Sequence, residues 1–293
     1  MNGRPHGGYA RRFLALAALT ALMGATVSCS GTGGSKPVSS ATKTLRWGGR
    51  DRSYAIDLEH TVNRQTPIVL VLHLPQSAAG TTPGFSGFAE QAARRGAIVV
   101  LPEGYQFSWN AGVCCGAAVT KQIDDLGFLQ RLLSIIQHQF GDQTRPVYVV
   151  GFSNGGFMAL RLACAGTRLA GIAIVEASLG VSHCQPRSMD LLQIHQLGDQ
   201  IVPYLGAEHP SVPGASQPFL SVPSTFQRWR SAAGCAARGT TNARALGVRT
   251  VRYPCPAGTR AELVTMPGGS HGWPTPPADP VDASRAILRF LRI

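Results

Sequence analysis

The chain has 293 residues and a formal charge of +12, with 44% hydrophobic and 14% charged residues. This composition is typical of a globular protein and excludes a disordered or fibrous chain, while the length suits one large domain or two small ones. The sequence contains no basic run and no interleaving of basic and aromatic residues, so we expect no nucleic-acid partner.

The first 28 residues are predicted to be a secretory signal peptide. Arg11 and Arg12 precede the apolar run 13–23, which is too short to span a bilayer but suits the core of such a signal. The pair of arginines also suggests twin-arginine export. We therefore expect an exported protein.

Cys29 is the candidate lipidation site. It follows a run of small residues, as in the bacterial lipobox, where this cysteine receives a lipid and becomes the mature N-terminus. Thr26 departs from the usual aliphatic residue, which leaves ordinary signal cleavage and secretion as the alternative. We expect a flexible linker rich in Gly and Ser over residues 29–41, followed by one folded domain over 42–293.

The remaining cysteines are six in number, and an even number in an exported chain favours disulfides. We expect a bond between Cys235 and Cys255, each of which lies at the end of a predicted element. The other four leave two alternatives, in which Cys114 and Cys115 either bond each other or bond Cys164 and Cys184. No Cys-x-x-Cys pair or matching histidine spacing indicates zinc, so we expect no metal.

The predicted elements begin with an antiparallel hairpin over residues 44–47 and 53–58. Short apolar runs then alternate with helical patterns, which predicts a mostly parallel sheet covered by helices on both faces. The predicted strands are 66–73, 97–101, 146–150, 170–175, 191–195 and 261–266, and the predicted helices are 125–140, 155–165 and 283–291. An irregular stretch over 203–223 follows a strand and could border a ligand pocket.

Two segments match the Gly-x-Ser-x-Gly pattern of serine hydrolases, around Ser153 and around Ser270. A bare match is weak evidence in a chain with 34 glycines. Ser153 lies between a predicted strand and a predicted helix, as the motif requires, and its sharp turn needs glycine two residues to either side. Ser270 precedes a segment rich in proline, which cannot form a helix. Ser153 is therefore the predicted nucleophile.

A serine nucleophile needs a histidine base, which in this kind of fold follows it in the chain. His195 lies within an apolar strand and is expected to be a hydrogen-bonded core residue. His209 lies in a loop rich in proline and is expected to be exposed. His271 follows the strand 261–266 in a glycine-rich turn, and we predict that it is the base.

The acid that orients the histidine is expected between the serine and the histidine in the chain. Asp199 ends the strand that contains His195, whereas Asp190 lies at the other end of that strand. Asp279 and Asp282 follow the histidine and are in the wrong order. Asp199 is the predicted acid.

Two backbone N–H groups should stabilise the oxyanion of an acyl-transfer reaction. The first is predicted to belong to Asn154. The second should come from the loop after the strand 66–73, and since Pro75 has no N–H, either Leu74 or Gln76 is expected to supply it.

With these residues placed, the chain resembles the secreted polyhydroxybutyrate depolymerase and feruloyl esterase family of α/β hydrolases, which includes bacterial lipoproteins. The family usually has His-Gly where this chain has His73-Leu74. The resemblance covers about residues 66 to 277 and rests on these segments: 151–156, 195 with 198–199, 202–204, 270–274, 108–112 with 114–116, and 124–125 with 127–128. It implies the α/β-hydrolase fold over residues 42–293.

Four further residues are expected either to line the substrate pocket or only to pack near it, namely Trp109, Asn110, Tyr204 and Trp273. The resemblance implies a serine carboxylic-ester hydrolase that acts outside the cytoplasmic membrane without a cofactor. Candidate substrates are polyhydroxyalkanoates, hydroxycinnamoyl or acetyl esters, and short acyl esters. The alternatives are an envelope acyltransferase with the same triad and a non-catalytic envelope binding protein. The expected partners are the ester and, through the lipid on Cys29, the membrane, with no obligate protein partner.

Overall fold

A computed structural model describes residues 42–76, 85–141, 143–208 and 218–293. The strands within these residues are β1 (Lys43–Trp47), β2 (Arg50–Asp57), β3 (Ile68–Leu72), β4 (Ile98–Pro102), β5 (Val147–Phe152), β6 (Gly171–Val175), β7 (Asp190–Gln196), β8 (Thr240–Ala243), β9 (Arg249–Tyr253) and β10 (Ala261–Met266). They form one sheet in the order β1-β2-β4-β3-β5-β6-β7-β10-β9-β8.

The helices within the same residues are α1 (Phe85–Arg94), α2 (Ala117–Thr120), α3 (Asp125–Gln139), α4 (Asn154–Cys164), α5 (Val222–Ala232) and α6 (Ala283–Leu291). No helix in the described part of the chain has the length and apolar character needed to cross a membrane.

The centre of the sheet is parallel and its two flanks are antiparallel. Strands β4, β3, β5, β6, β7 and β10 pair in parallel, whereas β1 and β2 on one side and β9 and β8 on the other pair antiparallel. The carboxyl ends of β5, β7 and β10 therefore lie at one edge of the sheet, and the loops that follow them meet there.

Each face of the sheet carries its own buried core. Along β3, Ile68, Leu70 and Leu72 belong to a cluster with residues of α3, α4 and α5, while Val69 and Val71 belong to a second cluster with residues of α1 and α6. Successive side chains of a strand point to opposite faces, so a strand with helices on both sides must be apolar throughout. All five residues of β3 are fully buried.

The predicted parallel sheet, the helices on both faces and the lead-in hairpin are confirmed. The sequence did not indicate α1, α2, α5, β8 or β9. The buried positions of α1 are partly alanines, a weak hydrophobic signal, and all residues of β8 are exposed, so its sequence lacks the apolar run that marked the other strands.

Three disulfides join the six cysteines of the described residues. Cys235 is bonded to Cys255 as expected, and of the two alternatives left open, Cys114 is bonded to Cys115 and Cys164 to Cys184. The predicted signal peptide, the lipidation site Cys29, the linker 29–41 and His209 lie outside the described residues.

Candidate active site

Ser153 lies on a sharp turn between β5 and α4. Its backbone has φ 54° and ψ −123°, a conformation that non-glycine residues adopt rarely and retain mainly at functional sites. A Cβ atom on Gly151 would lie 2.3 Å from the Gly155 carbonyl oxygen, and one on Gly155 would lie 1.9 Å from that of Leu72. Glycine is therefore required at both positions, and the turn presents the serine hydroxyl above the sheet edge.

His271 and Asp199 reach this serine from the loops after β10 and β7. His271 Nε2 is 2.7 Å from Ser153 Oγ, and His271 Nδ1 is 2.8 Å from Asp199 Oδ2. The tautomer with its proton on Nδ1 satisfies both contacts, because Nδ1 then donates to the carboxylate and Nε2 accepts from the hydroxyl. The imidazole ring also stacks on Phe152, with ring centroids 5.6 Å apart. The three residues thus form one continuous hydrogen-bonded chain.

The Asp199 carboxylate is buried and held by backbone donors. Its Oδ1 accepts from the N–H groups of Ile201 at 2.8 Å and Val202 at 2.9 Å. Burial acts to raise the pKa of Asp199, but the hydrogen bonds from His271 and Glu176 outweigh it, so that the pKa lies below its usual value. The carboxylate is therefore ionised at neutral pH, as an acid that stabilises an imidazolium must be.

The candidate oxyanion donors lie on either side of Ser153. Asn154 is the first residue of α4, where backbone N–H groups have no partner within the helix. The Gln76 N–H donates to the carbonyl oxygen of Phe107 at 2.9 Å and is thus already engaged. Of the two expected second donors, Gln76 is therefore disfavoured, and Leu74, which is half-buried and lines the cavity beside Ser153, remains.

The Asn154 side chain makes three hydrogen bonds that the sequence did not suggest. Its Oδ1 accepts from the Trp109 N–H at 2.7 Å, and its Nδ2 donates to the carbonyl oxygens of Trp109 at 2.9 Å and Cys114 at 2.8 Å. These bonds fasten the loop after β4 to the start of α4. The wall of the site is thereby fixed relative to the nucleophile.

A cavity of about 440 Å³ opens beside Ser153 and His271. Leu74, Phe107 and Ile201 line it, and the last two are 49% and 40% exposed, so an apolar surface faces solvent at its mouth. The cavity also contains Cys115 of the Cys114–Cys115 disulfide. An apolar wall of this kind suits the acyl or aromatic part of a ligand.

The four residues considered for the pocket do not line this cavity. Trp109 is fully buried and donates from Nε1 to the His73 carbonyl oxygen, and Asn110 is bonded to Ile123 and Arg161. Trp273 packs edge-on against Phe85, and Tyr204 packs beside His195. These are corrections to the pocket interpretation. All four follow strand ends, but Trp109 and Trp273 are buried, and the contacts described for Asn110 and Tyr204 are with residues that do not line the cavity.

Part of the stretch 203–223 lines a second cavity, of about 900 Å³, together with residues 179–182. The described walls of this second cavity include none of Ser153, Asp199 and His271. The described part of this stretch was expected to border the pocket of the active site, and it borders a different cavity instead. His195 is a fully buried residue whose Nε2 donates to the Val202 carbonyl oxygen at 2.8 Å, as expected for a core histidine.

Glu176 is the residue of the site that the sequence reading missed. It directly follows β6, is fully buried, and has a carboxyl oxygen within 4.8 Å of one of Asp199. An acidic residue at the carboxyl end of a parallel strand was the available signal, and it is the same signal that identified Asp199.

Comparison with known structures supports the architecture. A cold-adapted esterase from an Arctic intertidal metagenomic library superimposes with a TM-score of 0.55 over 85% of this chain and 91% of that chain, at 14% identity. The sheet order and the serine turn after β5 agree with this likeness. The chain has the α/β-hydrolase fold. No protein-family model matches it.

The chain is similar in sequence to esterases. It is 26% identical over 223 residues to feruloyl esterase B of Piromyces equi, a match that covers 72% of this chain and 40% of that protein. It is 28% identical over 262 residues to a candidate esterase, NocK, of Nocardia uniformis subsp. tsuyamanensis, a match that covers 82% of this chain and 76% of that protein. The predicted fold and the resemblance to feruloyl esterases are confirmed, and the predicted enzyme class agrees with the names of these relatives.

Proposed function

We propose that this chain is a serine carboxylesterase in which Ser153 is the nucleophile, His271 the general base and Asp199 the acid that orients it. The observation that carries the proposal is the continuous chain of 2.7 Å and 2.8 Å contacts from Ser153 Oγ through His271 to Asp199. The strained serine turn and the apolar cavity beside it support the same assignment.

The reaction starts when Ser153 Oγ attacks the ester carbonyl carbon and its proton passes to His271 Nε2. Asp199 stabilises the imidazolium that forms, and the N–H groups of Asn154 and Leu74 donate to the oxyanion. Collapse of this tetrahedral intermediate breaks the ester C–O bond, and His271 gives its proton to the departing alkoxide. Water then attacks the acyl-serine by the same route, which releases the carboxylic acid and restores Ser153.

The cavity favours an ester with an aromatic or aliphatic acyl group. Phe107 and Ile201 at its mouth and Leu74 within it offer an apolar surface to such a group. Two relatives are named feruloyl esterases, at 26% and 23% identity, and we therefore rank hydroxycinnamoyl esters before short acyl esters and polyhydroxyalkanoates.

A fluorophosphonate probe tests the proposal directly, because it reacts with activated serines. We expect a single covalent adduct, mapped by mass spectrometry to the peptide that contains Ser153 and absent in Ser153→Ala. A folded protein that takes no label, or takes it elsewhere, would contradict the proposal.

Initial rates with methyl ferulate and with a chain-length series of nitrophenyl esters then rank the substrates. Phe107→Ala is the matched variant, since it removes an exposed ring without touching the triad. We expect this variant to lose more kcat/KM with ferulate than with nitrophenyl acetate. Equal losses with both esters would mean that the aromatic ring of ferulate does not bind against Phe107.

We also propose that the protein is exported and anchored in the membrane through a lipid on Cys29. The three disulfides among the described residues support an oxidising compartment, since such bonds are rare in cytosolic proteins. Growth with a labelled fatty acid should label the full chain, and Cys29→Ala should abolish the label. Export without any label would instead support plain secretion.

A further inference from the structure

Two buried carboxyl groups lie side by side behind the proposed triad. Glu176 and Asp199 are 0% and 2% exposed, and one carboxyl oxygen of each, together with one ring nitrogen of His195, lie within 4.8 Å of one another. Two ionised carboxylates repel each other at such distances in a buried site, and two carboxyl groups can hydrogen-bond only if one carries a proton. Glu176 Oε2 is buried and has no hydrogen-bond donor among the described residues, which is the environment expected for a carboxyl oxygen that itself carries the proton.

The neighbouring groups show which carboxyl group holds the proton. Asp199 accepts from two backbone N–H groups and from His271, which favours its ionised form. Glu176 accepts from one backbone donor, the Gln196 N–H at 2.8 Å. Burial, the hydrogen bond to Asp199 and the charge of Asp199 raise the pKa of Glu176 to about 11, and the more distant carboxylate of Asp279 acts in the same direction.

His195 does not supply a compensating positive charge. Its Nε2 lies 3.4 Å from Glu176 Oε2 and 3.8 Å from Asp199 Oδ2, but its proton is directed to the Val202 carbonyl oxygen. Burial lowers the pKa of His195 to about 4, so that the ring is neutral at pH 7. The cluster therefore contains one negative charge, on Asp199, and one neutral acid.

The backbone of Glu176 has φ 46°, in the left-handed region that a glutamate rarely adopts. Such strain persists where surrounding structure or function requires it.

We propose that Glu176 is a positioning residue of the proposed triad, whose protonated carboxyl group donates a hydrogen bond to the Asp199 carboxylate and holds it facing His271. This inference rests on the esterase function proposed above. The neutral carboxyl group of Glu176 fixes the position of the Asp199 carboxylate. Its hydrogen bond also takes up part of the negative charge of Asp199, so that less of this charge acts on the imidazolium of His271. It does so without adding a second negative charge beside Asp199.

Two substitutions separate this role from a structural one. Glu176→Gln keeps the shape, can donate an amide N–H to Asp199 and can accept from Gln196, so kcat should stay close to that of the wild type. Glu176→Met fills the space but removes the donor. Because a hydrogen bond to a charged group is lost, kcat should fall by about 10- to 100-fold with little change in KM.

The pH profile provides a readout that a packing role would not change. In Glu176→Met more of the Asp199 charge faces the imidazolium of His271, so the acidic limb of kcat/KM should move to higher pH. Asp190→Asn is the matched control, because Asp190 is an acidic residue at the far end of β7 that is paired with Arg260. That variant should lose stability while its pH profile stays that of the wild type.

Infrared spectroscopy tests the protonation state without any activity. The wild type at neutral pH should show the C=O stretch of a buried carboxylic acid, and Glu176→Gln should lack it. This band is independent of esterase activity, so its presence in an inactive wild type would refute the proposed function but not the acid pair. Absence of the band, equal loss of kcat in the Gln and Met variants, or a wild-type profile in a folded Glu176→Met would each overturn the proposal. If Glu176→Met does not fold, the infrared band and the kcat of Glu176→Gln decide whether the proposal holds.

Discussion

Two turns of this molecule share the pattern Gly-x-Ser-x-Gly and differ in almost every physical respect. The turn at Gly151–Gly155 joins β5 to α4, and its serine is buried and strained. The turn at Gly268–Gly272 follows β10 and leads into no helix, and its serine is exposed. In the second turn it is the next residue, His271, that approaches the nucleophile.

The requirement for glycine shows the contrast most clearly. In the first turn, a Cβ atom at either flanking glycine would overlap backbone atoms at 2.3 Å or less, whereas at Gly272 the nearest atom would be 3.8 Å away. The first pair of glycines is a steric necessity of the serine turn. The final glycine of the second turn is not sterically required. The Gly-x-Ser-x-Gly pattern therefore indicates a nucleophile only where the backbone geometry of the turn requires both glycines.

Replacing each serine in turn should give the largest difference. Ser153→Ala removes the proposed nucleophile, and we expect kcat to fall on the order of 10⁶-fold, as when the serine of a complete triad is lost. Ser270→Ala removes an exposed hydroxyl and should leave kcat near that of the wild type. Steady-state hydrolysis of a nitrophenyl ester measures both, and equal losses would mean that the two turns were assigned the wrong way round.

The connection between the turns depends on Asp199, which holds the histidine of the second turn against the serine of the first. Asp199→Asn keeps the shape but removes the charge and favours the wrong histidine tautomer, so kcat should fall by roughly 10³- to 10⁴-fold with KM little changed. Asp282→Asn is the control, because Asp282 caps α6 through the Arg285 N–H and asparagine caps equally well. Near-normal turnover in Asp199→Asn would mean that Asp199 is not the acid of the triad.

Alanine at the last glycine of each turn tests the steric contrast without chemistry. Gly155→Ala forces a methyl group against the Leu72 carbonyl oxygen and should lower the free energy of unfolding by about 3 kcal/mol. Gly272→Ala meets no such obstacle and should change it by less than about 0.5 kcal/mol. Urea unfolding followed by circular dichroism compares the two variants. A stable Gly155→Ala would show that the first turn has more room than its geometry indicates.

The sequence could predict the three residues that the site brings together because each follows a strand of one parallel sheet. Chain order then places Ser153, Asp199 and His271 at the same edge. The direction in which a side chain points after the end of a strand cannot be read from the chain order, because loops lack the regular alternation of side chains that a strand has. Trp109 and Trp273 were for that reason considered for the pocket, although both side chains point into the core.

Two further features depend on contacts between segments distant in the chain. The engagement of the Gln76 N–H by Phe107 requires the loop after β4 to pass beside the loop after β3. Glu176 follows β6 as Asp199 follows β7, and the sequence does not reveal that the first is buried against the second. Such pairing becomes visible only once the strands lie next to each other.

The smallest predicted effect is the dependence of stability on pH that Glu176 causes. Glu176 lies next to the first turn, because the Ser153 N–H donates to the carbonyl oxygen of the residue before it, Val175. The pKa of Glu176 is raised from 4.5 to about 11, so between these values the folded protein holds one proton more than the unfolded chain. Its contribution to stability is greatest below pH 4.5 and is lost as the pH rises towards 11, at roughly 1 kcal/mol per pH unit.

The window from pH 7 to 9 isolates this contribution. The pKa of His195 is lowered from 6.5 to about 4, so its opposite contribution, a stability that rises with pH, is complete below pH 7. The lowered pKa of Asp199 acts only in more acidic solution. Between pH 7 and 9 the free energy of unfolding in urea should therefore fall more steeply with pH in the wild type than in Glu176→Gln, which has no proton to lose. Equal slopes in the two proteins would mean that Glu176 is already ionised at pH 7.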